Sequence, residues 1–121
     1  MTKLLARCPG TDLEVALACA RSLAGDDAAV TLAGDSFLEI AAAGVGKEHA
    51  IAAIAAGRGL ASSAVVAFGD HITDAGMVAW AGHGVAVANA HASVLAVADE
   101  VTSSNDEDGV AIVLERFAYN R

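Results

Sequence analysis

Residues 64–90 read AVVAFGDHITDAGMVAWAGHGVAVANA, and this stretch predicts how the chain folds. An apolar run over residues 64–68 gives way, after one glycine, to Asp70. A short apolar helix pattern follows Asp74, and a second apolar run covers residues 84–88. This order is typical of a strand, an acidic loop, a helix and a strand. Acidic residues at the carboxyl end of a buried strand lie where open α/β sheets bind ligands, so the stretch also predicts a site.

The segment from residue 44 to residue 121 continues this alternation. Its predicted elements are, in chain order, a helix from 47 to 57, a strand at 64–68, a helix at 73–81, a strand at 84–88, a helix at 91–97, a short strand at 98–101 and a helix at 106–119. Strands that are apolar throughout and alternate with helices are typical of parallel sheets buried on both faces. We therefore expect an α/β domain over residues 44–121.

The first 43 residues show a different pattern. They predict a strand at 3–8, a helix from Thr11 to Gly25, and strands at 28–33 and 36–41. Thr11 and Glu14 have the spacing of a capping box, and Gly34-Asp35 suits a two-residue hairpin turn. These elements predict a small α+β domain over residues 1–43, with the boundary in the Ala- and Gly-rich segment 41–46.

The composition restricts the classes of function. The 121 residues include 15 acidic and 7 basic side chains, for a net charge of −8. This balance argues against binding to nucleic acid or to an anionic membrane, which requires clustered Lys and Arg. No apolar run approaches the ~20 residues of a membrane helix, and we do not expect the first ten residues, broken by Pro9-Gly10, to act as a signal peptide. We expect a cytoplasmic protein whose Cys8 and Cys19 are buried reduced thiols, although a disulfide between them is possible.

Asp70 and Asp74 are the candidate metal ligands. One carboxylate leaves the end of a strand and the other opens the next helix, so the two can converge on Mg²⁺, which prefers hard oxygen ligands. The alternative is that Asp74 only stabilises the start of the helix and that Asp70 is a turn residue. The spacing alone leaves both interpretations open.

Lys47 and Asn89 are the other candidates for a site. A lysine at the start of a helix faces the positive end of the helix dipole, which suggests that Lys47 pairs with an anion, although a solvated surface lysine explains it too. Asn89 follows a strand and precedes a helix, where it either caps the helix or donates to a ligand. None of the four histidines has metal-site spacing, and only His71 lies in the acidic loop.

Taken in order, Lys47, the Gly69-Asp70-x-x-x-Asp74 loop, Asn89-Ala90 and the segment VTSSNDEDGV at 101–110 resemble haloacid dehalogenase-like hydrolases. The similarity is to the carboxyl-terminal part of the Cof-type sugar-phosphate phosphatases. It covers residues 36–117 and implies part of a three-layer Rossmannoid core with parallel strands, preceded by an α+β remnant of the cap domain.

The resemblance also implies roles for single residues. Lys47 matches the lysine that holds the nucleophile and the phosphoryl group, Asp70 the carboxylate that binds Mg²⁺, and Asp74 the acid that supports the metal site. Asn89 matches a position near the loop that is expected to contact substrate or phosphate. Thr73 stands where the branch usually has Asn, which shortens the reach of any contact with substrate.

One part of the family pattern is absent. The family's nucleophile is the first Asp of a DxDxT-type motif after the first core strand, and no aspartate before Lys47 fits that motif. Covalent catalysis of that kind needs the nucleophile. The expected function is therefore an Mg-dependent phosphatase fragment that is inactive alone and keeps part of the Mg²⁺ and phosphate site.

Two alternatives remain open for the function. One is a hydrolase completed by a partner chain, which would act on a phosphorylated small molecule. The other is a non-enzymatic oligomerising or ligand-binding module. In the family sheet the nucleophile strand lies beside the strand matching 64–68, so we expect an open apolar edge there. Such edges pair with other chains, which predicts a homo-oligomer or a partner strand beside 64–68.

Overall fold

The computed structural model describes residues 3–119, which form two compact units, one ending at Val45 and the other beginning at Gly46. The elements of the first unit are β1 (Leu4–Ala6), α1 (Leu13–Ala24), β2 (Ala28–Ala33) and β3 (Phe37–Ala42). Those of the second are α2 (Lys47–Gly57), β4 (Val66–Gly69), α3 (Ala75–Trp80), β5 (His83–Val87), α4 (Ala92–Leu95), β6 (Glu100–Thr102) and α5 (Gly109–Tyr119).

The first unit is an antiparallel sheet with one helix packed on it. Its strand order is β1-β3-β2. Leu17 of α1 packs with Val30 of β2 and Leu38 of β3, and all three side chains are buried. Burying an aliphatic side chain of this size contributes about 1.5–3 kcal/mol. The Arg21 guanidinium of α1 also donates to the Val30 carbonyl at 3.0 Å, which ties the helix to the sheet.

Two local predictions in this unit are wrong. The cap of α1 is Asp12, whose carboxylate accepts the backbone N–H of Glu14 and of Val15. Asp12 lies two and three residues before these N–H groups, which is the usual reach of a cap, and a carboxylate accepts them as well as a hydroxyl does. Asp12 therefore takes the capping role predicted for Thr11. The hairpin has a three-residue loop, 34–36, because β2 pairs with β3 up to Ala33↔Phe37.

The second unit contains a parallel sheet in the order β4-β5-β6, which confirms the predicted α/β class. In the central strand β5 the four residues from Gly84 to Val87 are buried. Ala86 packs with Val78 of α3 and Val94 of α4. A strand covered on both faces has no solvent-facing side, which is why β5 reads as a continuous apolar run.

Helix α3 packs very closely on β5. A Cβ atom added at Gly84 would lie 2.2 Å from the Val78 carbonyl oxygen. Only glycine leaves room for this approach, and the close approach brings the acidic loop that precedes α3 against the end of the sheet.

Three of the four helices predicted in this unit are shorter than expected, while the helix predicted at 47–57 is confirmed as α2. The predicted helix at 73–81 is a 3-10 turn, Ile72–Asp74, followed by α3. The final helix is likewise a 3-10 turn, Asn105–Glu107, then Asp108 with a left-handed backbone (φ 56°), then α5. The break is tight, since a Cβ at Gly109 would lie 1.9 Å from the Ser103 carbonyl oxygen.

Further differences lie at the ends of elements, and β5 begins and ends one residue earlier than the strand predicted at 84–88. The strand predicted at 3–8 is only β1, the one at 64–68 begins at Val66, the helix at 91–97 shortens to α4, and the strand at 98–101 begins at Glu100.

An ion network joins three elements at the amino end of the sheet. Glu100 of β6 bonds to the His83 ring of β5 at 2.9 Å and to the Arg116 guanidinium of α5. The hydrogen bond with His83 is the larger effect and that with Arg116 the next, and together they hold the pKa of the Glu100 carboxyl below its ordinary value. The network lies at the amino ends of β5 and β6, opposite the predicted site.

Two further expectations concern the thiols and the membrane. Both cysteines are free, as expected, but Cys8 is half-buried and Cys19 is exposed, so the predicted burial is wrong.

Among residues 3–119, no helix combines the length and the apolar character that crossing a bilayer requires.

Candidate functional site

Asp74 is the centre of the acidic loop. Its side chain is buried, and one oxygen, Oδ2, accepts the backbone N–H of Asp70 at 3.1 Å and of His71 at 3.0 Å. The other oxygen, Oδ1, accepts a hydrogen bond from the Lys47 ammonium. A carboxylate in the first turn reaches back to amides three and four residues earlier, as in a capping box. The Gly-Asp-x-x-x-Asp spacing therefore closes the loop on itself.

The charge of Asp74 is stabilised inside the protein. Burial by itself disfavours the ionised form, but the Lys47 ammonium and the backbone N–H groups of His71 and Asp70 outweigh burial. The pKa of the Asp74 carboxyl therefore lies below its ordinary value of 3.8. Asp74 stays ionised and keeps both the loop and Lys47 in place at neutral pH.

Gly69 makes room for this arrangement at the end of β4. A Cβ atom at Gly69 would lie 2.6 Å from the Asp74 Cβ and 2.8 Å from a methyl group of Val78. The glycine before the acidic loop is thus required by packing, because any side chain there would push Asp74 and α3 away from the strand.

Asp70 has a fixed backbone and an exposed side chain. Its N–H is held by Asp74, and its carbonyl oxygen accepts the backbone N–H of His91 at 2.7 Å. Because its N–H and its C=O are both hydrogen-bonded, the Asp70 backbone is held in place and only its side-chain torsions remain free. Asp70 is therefore the carboxylate that this loop presents to solvent at the carboxyl end of β4.

Lys47 opens α2, and its position at the helix start is explained by Asp74. The ammonium pairs with the buried carboxylate, which offsets the unfavourable interaction with the helix dipole. The Lys47 side chain remains 55% exposed, so the ammonium keeps donors for a second anion. The predicted pairing with an anion is met within the chain.

Thr73 and His71 are occupied with each other. The Thr73 hydroxyl lies 3.2 Å from Nδ1 of His71, whose ring also caps the 3-10 turn. The contact with substrate that the sequence predicts for Thr73 stays a prediction.

Asn89 contacts a residue that the sequence did not single out. Its Nδ2 donates to Oδ1 of Asn105 at 2.7 Å, and its Oδ1 accepts the Asn105 backbone N–H at 3.2 Å. The role in substrate binding predicted for Asn89 stays a prediction. Asn105 was missed, although it follows the end of β6 much as Asn89 follows β5, and that repetition was the available signal.

The described residues do not by themselves complete a metal site. Within residues 3–119, no group of three or more His, Cys, Asp or Glu side chains is placed to hold an ion. Both oxygens of Asp74 already accept N–H groups of this chain. Mg²⁺ would therefore find one available carboxylate here, that of Asp70, and its other ligands would have to be water or come from elsewhere.

Known proteins with the same fold and sequence pattern identify the family. A family model described as haloacid dehalogenase-like hydrolase matches residues 1–114. The stress response protein YhaX of Bacillus subtilis is 42% identical over 83 residues, which are 69% of this chain and 29% of that protein. The 5-amino-6-(5-phospho-D-ribitylamino)uracil phosphatase YcsE of the same organism is 38% identical over 88 residues, 73% of this chain and 35% of that protein.

A solved structure agrees with these sequences. The crystal structure of a haloacid dehalogenase-like hydrolase from Bacteroides thetaiotaomicron superposes with a TM-score of 0.80 at 31% identity, covering 95% of this chain and 43% of that one. The chain belongs to the haloacid dehalogenase-like hydrolase family. It spans less than half the length of each of these three relatives.

Proposed function

We propose that this chain forms the part of a magnesium-dependent phosphatase site that holds the transferring phosphoryl group and one side of the metal ion. The observation that supports the proposal best is the buried Asp74 carboxylate, which fixes both the Lys47 ammonium and the Asp70 backbone. This arrangement places one cation and one available carboxylate at the carboxyl end of β4. A cation beside a carboxylate suits a phosphoryl group and a hard metal ion.

Each side chain has a separate role in this proposal. Lys47 binds phosphoryl oxygens through the ammonium donors that Asp74 leaves unused. Asp70 supplies an oxygen ligand, and Asp74 keeps both groups in position. Bound Mg²⁺ would stabilise the negative charge that develops on the phosphoryl oxygens.

We propose further that the chain alone does not hydrolyse phosphate esters. Its only Asp-x-Asp pair is Asp106 and Asp108, and both are exposed in the loop after β6. That loop follows β6, which lies two strand spacings, about 10 Å, from β4. The pair is therefore not placed as a nucleophile for a phosphoryl group held by Lys47.

Metal binding and turnover can be tested separately on the purified chain. We expect Mn²⁺, as a paramagnetic substitute for Mg²⁺, to broaden the NMR signals of residues 69–71 in the wild-type chain. Asp70→Asn should reduce that broadening by about tenfold or more, because it removes the available carboxylate. We expect p-nitrophenyl phosphate with Mg²⁺ to show no turnover above background.

The matched control is Asp26→Asn, which replaces an exposed aspartate of the first unit and should leave Mn²⁺ broadening unchanged. Equal loss in both variants would mean that Mn²⁺ follows net charge and not the Asp70 loop. Turnover that Asp70→Asn abolishes would show that the chain is active alone and would overturn the second proposal.

The open edge of the parallel sheet favours a second possibility, a hydrolase completed by another polypeptide. β4 pairs only with β5 among the described strands, and the His83 N–H bonds to the Val65 carbonyl. By alternation, the peptide groups of Val66 and Phe68 face away from β5. Their N–H and C=O groups can therefore accept another strand.

We expect the isolated chain to associate with itself through this edge, and light scattering across a dilution series measures the effect. Val66→Pro should shift the chain towards monomer, since proline removes an outward N–H without breaking the β4–β5 ladder. A thermal melt verifies that the variant is folded. A wild-type monomer at the highest soluble concentration would contradict self-association.

A further inference from the structure

We infer that Asn89 and Asn105 form an amide pair that positions Asp70, and that Asn89 acts through this pair and not as a ligand of the substrate. The inference takes Asp70 as the metal-facing carboxylate of the proposed function. Its structural part, the positioning of the Asp70 peptide, depends only on contacts within the chain.

The contacts of Asn89 fix the orientation of its amide. The Asn105 backbone N–H is a donor, so the atom of Asn89 that faces it at 3.2 Å must be the carbonyl oxygen. Nδ2 of Asn89 then faces Oδ1 of Asn105 at 2.7 Å. Both ends of the Asn89 amide are therefore used within the chain, and only one N–H remains for a ligand.

Asn105 lies in a loop that its own hydrogen bonds hold together. It begins a 3-10 turn in which the Ser104 and Glu107 side chains form a capping box. Thr102 donates its hydroxyl to the Gly109 carbonyl at 2.9 Å, and the Gly109 N–H returns to the Ser104 carbonyl at 3.0 Å. The loop is closed by its own bonds at both ends, so Asn105 is a fixed support for Asn89.

The turn after β5 connects Asn89 to Asp70. Asn89 lies in the turn that the Ala90 N–H closes on the Val87 carbonyl at 2.9 Å. His91, which follows Ala90, donates its backbone N–H to the Asp70 carbonyl at 2.7 Å. Holding Asn89 therefore holds the turn, and the turn holds the Asp70 carbonyl through the His91 N–H.

These contacts run across the sheet from the loop after β6, through the turn after β5, to the loop after β4. Asp74 fixes the Asp70 N–H from one side, and the asparagine pair fixes its carbonyl from the other. Sites of this kind depend on outer contacts that keep the binding side chain in one geometry. Residues 102–109 therefore help to position the site, although none of them is proposed to bind the metal ion or the phosphoryl group.

The test is amide hydrogen exchange measured by NMR on the full chain, in the wild type and in Asn89→Ala. We expect the His91 and Asn105 amides to exchange about five- to tenfold faster in the variant, as loss of one or two hydrogen bonds allows. The Val85 amide in β5 should keep its protection, which separates this effect from general destabilisation. Ser22→Ala, at an exposed site in α1, is the control and should change neither amide.

A double-mutant cycle adds a second measurement. Asn105→Ala should accelerate His91 exchange less than Asn89→Ala does, because the backbone N–H of residue 105 can still donate to Asn89. The double variant should resemble Asn89→Ala alone, since that change already removes both bonds of the pair. Asn89→Asp should restore part of the protection, because its carboxylate still accepts the Asn105 N–H. Unchanged His91 exchange in Asn89→Ala, or additive effects in the double variant, would overturn the inference.

Mn²⁺ broadening at residue 70 distinguishes this inference from the proposed function. Broadening that is present in the wild type and weakened severalfold in Asn89→Ala supports both the proposed metal site and the positioning role of the asparagine pair. Absence of broadening in the wild type would contradict the metal site while leaving the exchange result to decide the positioning role. Unweakened broadening in a variant with fast His91 exchange would contradict the part of the inference that links the pair to the metal.

Discussion

Asp74→Ala should lower the free energy of unfolding by about 3 kcal/mol. The substitution removes the acceptor of the Asp70 and His71 amides and leaves the Lys47 ammonium without its partner. Denaturant unfolding followed by circular dichroism measures the change. Asp26→Ala, which removes an exposed carboxylate, should stay within about 0.5 kcal/mol of the wild type.

The charge of Asp74 should also make the stability of the protein depend on pH. Because the folded-state pKa of Asp74 lies below 3.8, its contribution to stability is complete above that value and is lost as the pH falls through the folded-state pKa. Asp74→Asn should therefore be less stable than the wild type at neutral pH but lose less stability between about pH 5 and pH 2. Parallel stability curves for the two proteins over that range would contradict the role given to the Asp74 charge.

Gly84→Ala should cost about 2 kcal/mol or more in unfolding free energy, because overpacking a buried site forces the backbone apart. The added methyl group would lie 2.2 Å from the Val78 carbonyl oxygen, and that oxygen belongs to the backbone of α3. The relevant measurements are the denaturant midpoint and the NMR spectrum of residues 69–78, which should shift with α3.

Gly57→Ala is the matched control. It makes the same change at the last residue of α2, where a Cβ meets nothing within 4 Å. We expect the control to be neutral or to gain up to about 0.5–1 kcal/mol from the lower entropy of the unfolded chain. Val78→Ala in the Gly84→Ala background should not restore stability, since it would relieve the 2.8 Å contact with the Val78 Cγ1 but not the closer clash with the Val78 carbonyl oxygen. Rescue by that change would show that the side chain, and not the carbonyl, sets the spacing.

The parallel sheet could be predicted from the sequence because its signals are local. The apolar run over β5 reflects burial on both faces. Gly69, before Asp70, and Gly84 mark positions where α3 and its preceding loop approach the strands closely. The acidic loop was predicted for the same reason, since its Gly-Asp-x-x-x-Asp spacing suits one turn of chain. The family likeness of the chain, inferred from these residues, is confirmed by the match over residues 1–114.

The predictions that were wrong or missing concern positions where two residues compete for one role, or where residues distant in the sequence come into contact. Thr11 and Asp12 both suit a helix cap, and only the folded backbone decides between them. The break at Asp108 arises because Gly109 packs against Ser103, which no helical periodicity reveals. Asn105 and the His91 amide reach Asn89 and Asp70 only after three strand ends meet at one edge of the sheet.

The parallel sheet also bears on how the second unit folds. Val66 pairs with His83, 17 positions further along the chain, and Val85 pairs with Glu100, 15 positions further along. The entropy lost on closing a loop grows only slowly with its length, and short separations favour fast folding. We therefore expect β5 to nucleate both pairings in quick succession. The polar residues that follow each strand are then brought together as the strands align, without a separate conformational search for the site.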